Sequence, residues 1–432
     1  MALNEILILV VVFAGLMILR VPIAFCIGLA TLATMLMSIN TGPALTTVAQ
    51  RMATGLDSFA LLAIPFFILS GQLMNRGGIA RRLIDFAKAL VGMLPGGLAF
   101  VNIVACMLFG AISGSAVAAA AAIGGFMTPL MEKEGYDKNF SAAVNISSST
   151  TGLLIPPSNI LIVYSLASGG TSIAALFLAG YIPGILVGAC LMAVSAVIAI
   201  RKKYRVVPSP GLQATIVRFL DAFPSLLLIF IVIGGIVAGY FTATEASAIA
   251  VLYTFILSVV VYREVKWKEI PRILLDSTVT TAIVMILIGT SMAMSWILAY
   301  ENIPQGVSAA LVALSDNKIV ILLIINIILL IVGTFMDMTP AVLIFTPIFL
   351  PVAKQLGIDP IHFGIIMILN LCIGLCTPPV GSVLFVGTGI AGTTIQKVIR
   401  PLLPMFLAMV VALMLVTYIP ELSLWIPKFF GY

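Results

Sequence analysis

Long apolar runs separated by short polar clusters set the pattern of this chain. A helix that crosses a bilayer needs about 20 consecutive apolar residues, so 432 residues with short turns hold on the order of 10 to 14 membrane-inserted segments. The longest stretch outside the apolar runs, Arg201 to Asp221, is too short to bury a core of its own, and no appended soluble domain is expected. One segment has a different rhythm. Between Arg76 and Lys88 the charges are spaced around Ile79, Leu83, Ile84 and Ala87, which predicts an amphipathic helix lying on the membrane surface.

Composition turns this pattern into a solvent assignment. The chain is 62% apolar and carries 22 basic and 16 acidic residues, with a mean hydropathy of +1.23. Soluble domains are about 45–50% apolar and about 25% charged, so the bilayer is the solvent here. No basic n-region or small-residue cleavage site marks a signal peptide at Met1 to Glu5, and the first apolar run is expected in the mature protein. Cys26, Cys106, Cys190, Cys372 and Cys376 all lie in apolar runs and read as packing thiols.

A net charge of +6 could suggest nucleic acid, but the basic residues cluster between apolar runs, where topology explains them and no nucleic-acid partner is expected. The clusters are Arg76, Arg81, Arg82 and Lys88; Arg201, Lys202, Lys203 and Arg205; and Arg263, Lys266, Lys268 and Arg272. The positive-inside rule places all three on the cytoplasmic side, and the two apolar runs between the second and third return the chain to that side. Positions 89 to 131, 139 to 200 and 363 to 396 hold no Asp, Glu, Lys, Arg or His, and within 319 to 353 the sole one is Asp337. A carboxylate at membrane depth points to function. Thr242 with Glu245 reads as a helix cap, and Asp57 likewise reads as a capping residue before an apolar run.

The chain repeats itself. At an offset of 222 residues Pro129, Gly135 and Asp137 meet Pro351, Gly357 and Asp359, and without a gap Pro156 and Pro157 meet Pro378 and Pro379. Two related halves with duplicated helix breakers are a common plan for membrane transporters, whose binding site lies at the repeat interface on broken helices. Polar, charge-free breaks interrupt the apolar runs at GAISGSA (110 to 116) and NISSSTTGLLIPPSN (145 to 159), and again at GTFMDMTPA (333 to 341) and NLCIGLCTPPVG (370 to 381). Proline removes an amide donor and disfavours helix before it, so carbonyls near the breaks need another ligand in lipid.

A hard monovalent cation is such a ligand, because it takes carbonyl, hydroxyl and amide oxygens. Two Na⁺ sites follow, one per half. The first draws on Ser113, Ser115, Asn145, Ser149, Thr150 and Pro156; the second on Gly333, Thr334, Asp337, Thr339, Asn370 and Thr377. Helix N-termini opened at the breaks attract an anion, which assigns Ser115, Ser158, Asn159, Asp337 and Gly381 to substrate. The reading is an organic anion moving with Na⁺ as coupling ion, with no organic cofactor, no transition metal and no catalytic residues. The rival from another class is an intramembrane serine hydrolase built on His362 with Ser113 or Ser115. GTGIAG (387 to 392) matches G-x-G-x-x-G but lies in an apolar stretch without the acidic residue that motif needs, and Cys372, Cys376 and His362 lack a fourth metal ligand.

Five segments taken together, GLDSFALLAIPFFILSGQLMNRGGIARRL (55 to 83), GAISGSAVA (110 to 118), LLIPPSN (153 to 159), TATEASA (242 to 248) and CTPPVG (376 to 381), give the chain a resemblance along essentially its whole length. It resembles the large membrane subunit of the tripartite ATP-independent periplasmic (TRAP) transporters. One departure is Ala243, where that family tends to have proline.

The resemblance implies an all-α polytopic fold with two inverted repeats, each bearing a re-entrant helical hairpin and a broken helix, arranged as a scaffold and a mobile elevator-type transport domain. Residues 1–88 would form N-terminal scaffold helices and the surface helix, 89–200 the first transport repeat, 201–300 central scaffold helices, 301–400 the second transport repeat and 401–432 a C-terminal helix. GAISGSA and GTFMDMTP would be the hairpin tips. It further implies sodium-driven import of an organic acid, such as a C4-dicarboxylate or a sialic acid, across the bacterial inner membrane. The partners would be a small membrane subunit, here a separate chain because no extra N-terminal helical block is present, and a periplasmic substrate-binding protein.

Overall fold

The computed structural model describes residues 2–204, 211–315, 317–378 and 380–432; Arg205 of the second basic cluster and Pro379 of the second proline pair lie outside the described residues. The described chain is all-helical. The first half contains α1 (Ala2–Ile18), α2 (Ile23–Ser38), α3 (Thr41–Leu56), α4 (Ala63–Arg76), α5 (Ile79–Val91), α6 (Gly97–Ser113), α7 (Ala116–Lys133), α8 (Lys138–Ser149), α9 (Asn159–Ala167) and α10 (Ile173–Lys202). The second contains α11 (Leu212–Val237), α12 (Ala243–Phe255), α13 (Ile270–Tyr300), α14 (Ile303–Leu314), α15 (Lys318–Phe335), α16 (Met338–Gln355), α17 (Pro360–Gly374), α18 (Ser382–Ala391), α19 (Ile395–Tyr418) and α20 (Glu421–Phe429). Among the described residues, eight helices are long and apolar enough to cross a membrane.

The repeat seen in sequence is a repeat of elements. Displaced by 222 residues, α7 falls on α16 end to end, and α6, α8, α9 and α10 begin within one residue of α15, α17, α18 and α19. The register extends beyond the matched motifs, since α2 and α5 fall within two residues of the starts of α12 and α14. The matched residues do the same local work in both copies. Gly135 and Gly357 take left-handed backbone at φ 82° and 70°, the conformation that ends a helix and that glycine adopts without a Cβ clash. Asp137 and Asp359 then cap the next helix, accepting from the amides of Phe140 at 2.9 Å and Ile361 at 2.7 Å. One difference stands out: α3 and α4 are separated by a break at Asp57–Ser58 and a 3₁₀ turn, whereas α13, their counterpart, runs unbroken.

Interlocking contacts bind the halves. Equivalent positions Thr150 and Cys372 meet, with the Cys372 thiol 3.5 Å from the Thr150 carbonyl. Arg76 pairs with Asp276 at 2.6 Å, linking α4 to α13. Arg82 lies 3.5 Å from Asp221 and 3.7 Å above the Tyr262 ring, which brings the first basic cluster beside the chain that flanks the other two. Tyr164 on α9 donates to the Pro360 carbonyl at the start of α17, at 2.6 Å. Removing that buried bond costs about 1 kcal/mol, so Tyr164→Phe should lower the melting temperature in detergent without changing oligomeric state. An unchanged melting temperature would show that the bond adds nothing.

Three local expectations are corrected. The helix expected at Arg76–Lys88 forms as α5, but its apolar face is buried on α6 and α11 rather than laid into lipid. Amphipathicity specifies an apolar neighbour, not which one. Asp57 does not cap the following run: it is the C-cap of α3, its amide donating to the Thr54 carbonyl, and the next turn begins at Ser58 without a side-chain cap. His362, expected at the interface, is buried, with Nδ1 2.6 Å from Ser423 Oγ and Nε2 3.4 Å from the Thr417 carbonyl. The Thr242–Glu245 cap is present in full, each side chain bonding the other residue's amide.

Candidate functional site

Each half builds its part of the site from a hairpin and a broken helix. In the first, α6 and α7 reverse at Gly114, whose φ of 62° makes the tight turn possible. In the second, α15 and α16 reverse through Met336 and Asp337. After α8 the chain makes a 3₁₀ turn at Thr151–Leu153 and resumes as α9 only at Asn159. After α17 it leaves helix at Leu375 and resumes as α18 at Ser382. Both segments around the prolines are therefore interrupted helices.

Each hairpin crosses the broken helix of its own half through a pair of glycines. Gly110 meets Gly152, and Gly333 meets Gly374, so closely that a Cβ on either residue would run into the other's Cα. The glycines on the broken helices, 152 and 374, are equivalent positions of the repeat. Small residues at such crossings let two backbones, with their peptide dipoles, approach closely. The second crossing is reinforced by the Gly381 amide, which donates to the Thr334 carbonyl at 3.3 Å.

A cavity of about 250 Å³ lies where these parts converge. Four helix N-termini open onto it: Ser115–Ala118 of α7, Asp337–Thr339 of α16, Asn159–Ile160 of α9 and Ser382 of α18. Its opposite wall is formed by Ile64, Gly71, Gln72 and Asn75 of α4 and by Thr280 and Val284 of α13. Among the described residues no lysine or arginine lines it, and Asp337 is its one charged side chain. The Ser113, Ser158, Asn159 and Ser382 side-chain oxygens at or beside it are shielded from solvent without a hydrogen-bond partner. Unpaired polar atoms in that position are costly unless a ligand or ion completes them.

The structure brings five of the expected residues into this cavity: Ser113, Ser115, Asn159, Asp337 and Thr339. Ser115 caps α7, its Oγ accepting from the Ala118 amide at 3.2 Å, whereas Asp337 stands at the start of α16 without a side-chain cap bond. The remainder are not among the lining residues. Ser149, Thr150, Thr334 and Thr377 donate to carbonyls three or four residues back, which leaves oxygen lone pairs available as ligands. Asn145 donates to the Ala120 carbonyl at 2.9 Å and fastens α8 to α7. Asn370 donates to Asn326, and its own Oδ1 is buried without a partner. Gly333 and Gly381 act through backbone, and Ser158 precedes α9 with a free hydroxyl. Pro156 lies in the break itself.

Neutral oxygens with one carboxylate suit a hard monovalent cation, and among the described residues no group of three His, Cys, Asp or Glu could hold a transition metal. His362 lines a separate pocket with Lys318 and Asp359, where its ring nitrogens meet Ser423 and the Thr417 carbonyl, so it is not paired with Ser113 or Ser115. Gln72, Asn75 and Thr280 were not foreseen. The signal for the first two was present, as adjacent-turn amides in an otherwise apolar helix; Thr280 carried none.

Comparisons with known proteins agree with this architecture. The family model described as the tripartite ATP-independent periplasmic transporter, DctM component, matches residues 10–422. The chain is 58% identical to protein YgiK of Salmonella typhimurium, over 97% of this chain and 96% of that one. It is 44% identical to the C4-dicarboxylate TRAP transporter large permease protein of Pseudomonas aeruginosa, over 87% and 88% of the two chains. It is 39% identical to the sialic acid TRAP transporter large permease protein of Vibrio cholerae, over 97% of each. In three dimensions it resembles the YdaH transporter of Alcanivorax borkumensis with a TM-score of 0.65, covering 90% of this chain and 88% of that one at 14% identity, a likeness of fold. A match that runs almost from end to end, on a chain with two hairpins and two interrupted helices around one polar cavity, makes this protein a member of the DctM family of TRAP transporter large permeases.

Proposed function

We propose that the chain imports a small organic anion, a carboxylate of the kind named for its relatives, together with Na⁺ across the bacterial inner membrane. It would work beside a separate small membrane subunit and receive its substrate from a periplasmic binding protein. The observation that carries this reading is the convergence of four helix N-termini on a cavity without a basic side chain. Each N-terminus presents about half a positive charge and free amides, so an anion is held by dipoles rather than by a fixed cation. A dipole site releases its anion more readily than an arginine would, which suits a carrier that must let go.

The oxygens grouped near the glycine crossings take Na⁺ in this reading, and Asp337 stands between ion and substrate. The crossings bind each hairpin to its own broken helix, and the two halves of that assembly meet at Thr150 and Cys372. They would move as one body within 89–200 and 301–400, past a wall made by α4 and α13 that the Arg76–Asp276 pair braces. Substrate specificity within the organic acids follows from the residues that face the cavity and from the binding protein.

The test is uptake into proteoliposomes with both partners present. An imposed inward Na⁺ gradient is expected to drive accumulation of an organic acid, and an equal K⁺ gradient is not. Uptake of the same size under both would remove the coupling.

A further inference from the structure

A second cavity, about 650 Å³ in volume, opens between α1, α13 and the second hairpin. Its walls are apolar: Ala14 and Ile18 of α1, Leu298 of α13, Phe335 and Met336 at the hairpin, and Ile348 of α16. Leu298 and Met336 are buried at its floor, while Ile18 and Phe335 stand exposed at its rim. Along α1 the lining runs from Leu9 to Ile18, about 14 Å at 1.5 Å per residue, close to the hydrocarbon depth of one leaflet.

Just beyond the groove, two residues past Ile18, stands Arg20. It is exposed and takes left-handed backbone at φ 61°, a region that penalises any residue with a Cβ and where helix ends favour glycine. Among the described residues its guanidinium has no ion pair or hydrogen bond. It is also the only basic residue before Arg51. An unpaired cation held in an unfavourable conformation at the end of an apolar groove is the complement of an anionic head on a long apolar tail.

We infer that the groove binds one phospholipid, with an acyl chain between α1 and the second hairpin and its phosphate paired with Arg20. Transfer of a chain from bilayer to groove gains no hydrophobic energy, since both are equally apolar. Retention must therefore come from packing in the concavity and from the guanidinium–phosphate pair, which can be bidentate. The occupant would bear on Met336, the immediate neighbour of Asp337, and so connects the lipid phase to the tip that lines the polar cavity.

The experiment is native mass spectrometry of the full chain purified from membranes in mild detergent, then titrated with phosphatidylglycerol. Binding is read directly, so the outcome does not depend on transport. The wild-type protein is expected to retain one phospholipid. Arg20→Gln should lower the affinity about tenfold, as the loss of a charge-assisted pair predicts, and Ala14→Trp should exclude the chain by filling the groove. Should Ala14→Trp fail to fold, Ile18→Trp at the exposed rim obstructs the same opening. Absence of bound phospholipid on the wild-type chain, or wild-type retention by both the Gln and Trp variants, overturns the inference. So does a crosslink from Ala14→Cys in native membranes to a helix of another subunit, which would place a protein in the groove.

Discussion

Asp337→Ala is expected to reduce Na⁺-driven uptake by at least about tenfold while the protein still inserts and folds, because a charge-assisted interaction is worth about 1.5–3 kcal/mol. Asp337 is the one charged side chain on the cavity and stands at the N-terminus of α16 without a side-chain cap bond. That carboxylate faces a site proposed for an anionic substrate, and like charges at close range repel unless a cation stands between them. Replacement by alanine would remove the proposed anchor for that cation, and Asp337→Asn, which keeps the shape, separates charge from packing. The measurement is the Na⁺ dependence of uptake in proteoliposomes. Half-saturation at the wild-type Na⁺ concentration in both variants would return Asp337 to a packing role.

Gly152→Val and Gly374→Val are expected to abolish uptake, each acting alone. At either position the added side chain meets the backbone of the hairpin arm rather than the movable end of a side chain, so the helices must separate. Overpacking of this kind costs about 1–3 kcal/mol in a core that can yield, and more against backbone. Separation would withdraw the first hairpin from Asn159, against whose amide Gly114 rests, and the second from the Gly381 amide that donates to Thr334. The cavity then loses its convergence of helix ends even if the protein folds. Uptake assays paired with melting curves distinguish the cases. Folded variants with wild-type uptake would show that the crossings need not be tight and that each hairpin moves independently of its broken helix.

The repeat clarifies why both substitutions should act alike and why the wall opposite should not. Gly152 and Gly374 are the same position in two copies, each crossing the arm of a hairpin. By contrast α13 is continuous where its counterparts α3 and α4 are broken, so the wall facing the hairpins is asymmetric. Gln72 and Asn75 contribute amides from α4, while α13 offers only Thr280 and Val284. In the proposed cycle a pseudo-symmetric body would move against this asymmetric wall, which offers different partners to the two halves of the site.

Much of this was determined by the order of residues alone. Apolar run length specifies a bilayer as solvent, because unpaired backbone cannot face lipid and only helices satisfy it locally. The Gly and Asp pairs at 135 and 137, and at 357 and 359, dictate a helix end followed by a helix start through backbone geometry that needs no distant partner. The paired prolines interrupt helix for the same local reason. What only the tertiary structure decided is which surfaces meet. Hydrophobic patterning did not distinguish lipid from protein as the neighbour of α5, since both are apolar. No spacing in the chain showed that Ser115, Asn159, Asp337 and Ser382 open on one cavity, or that Gln72 and Asn75 face them from α4. Those are contacts between residues tens to hundreds of positions apart, and a local pattern carries no record of them.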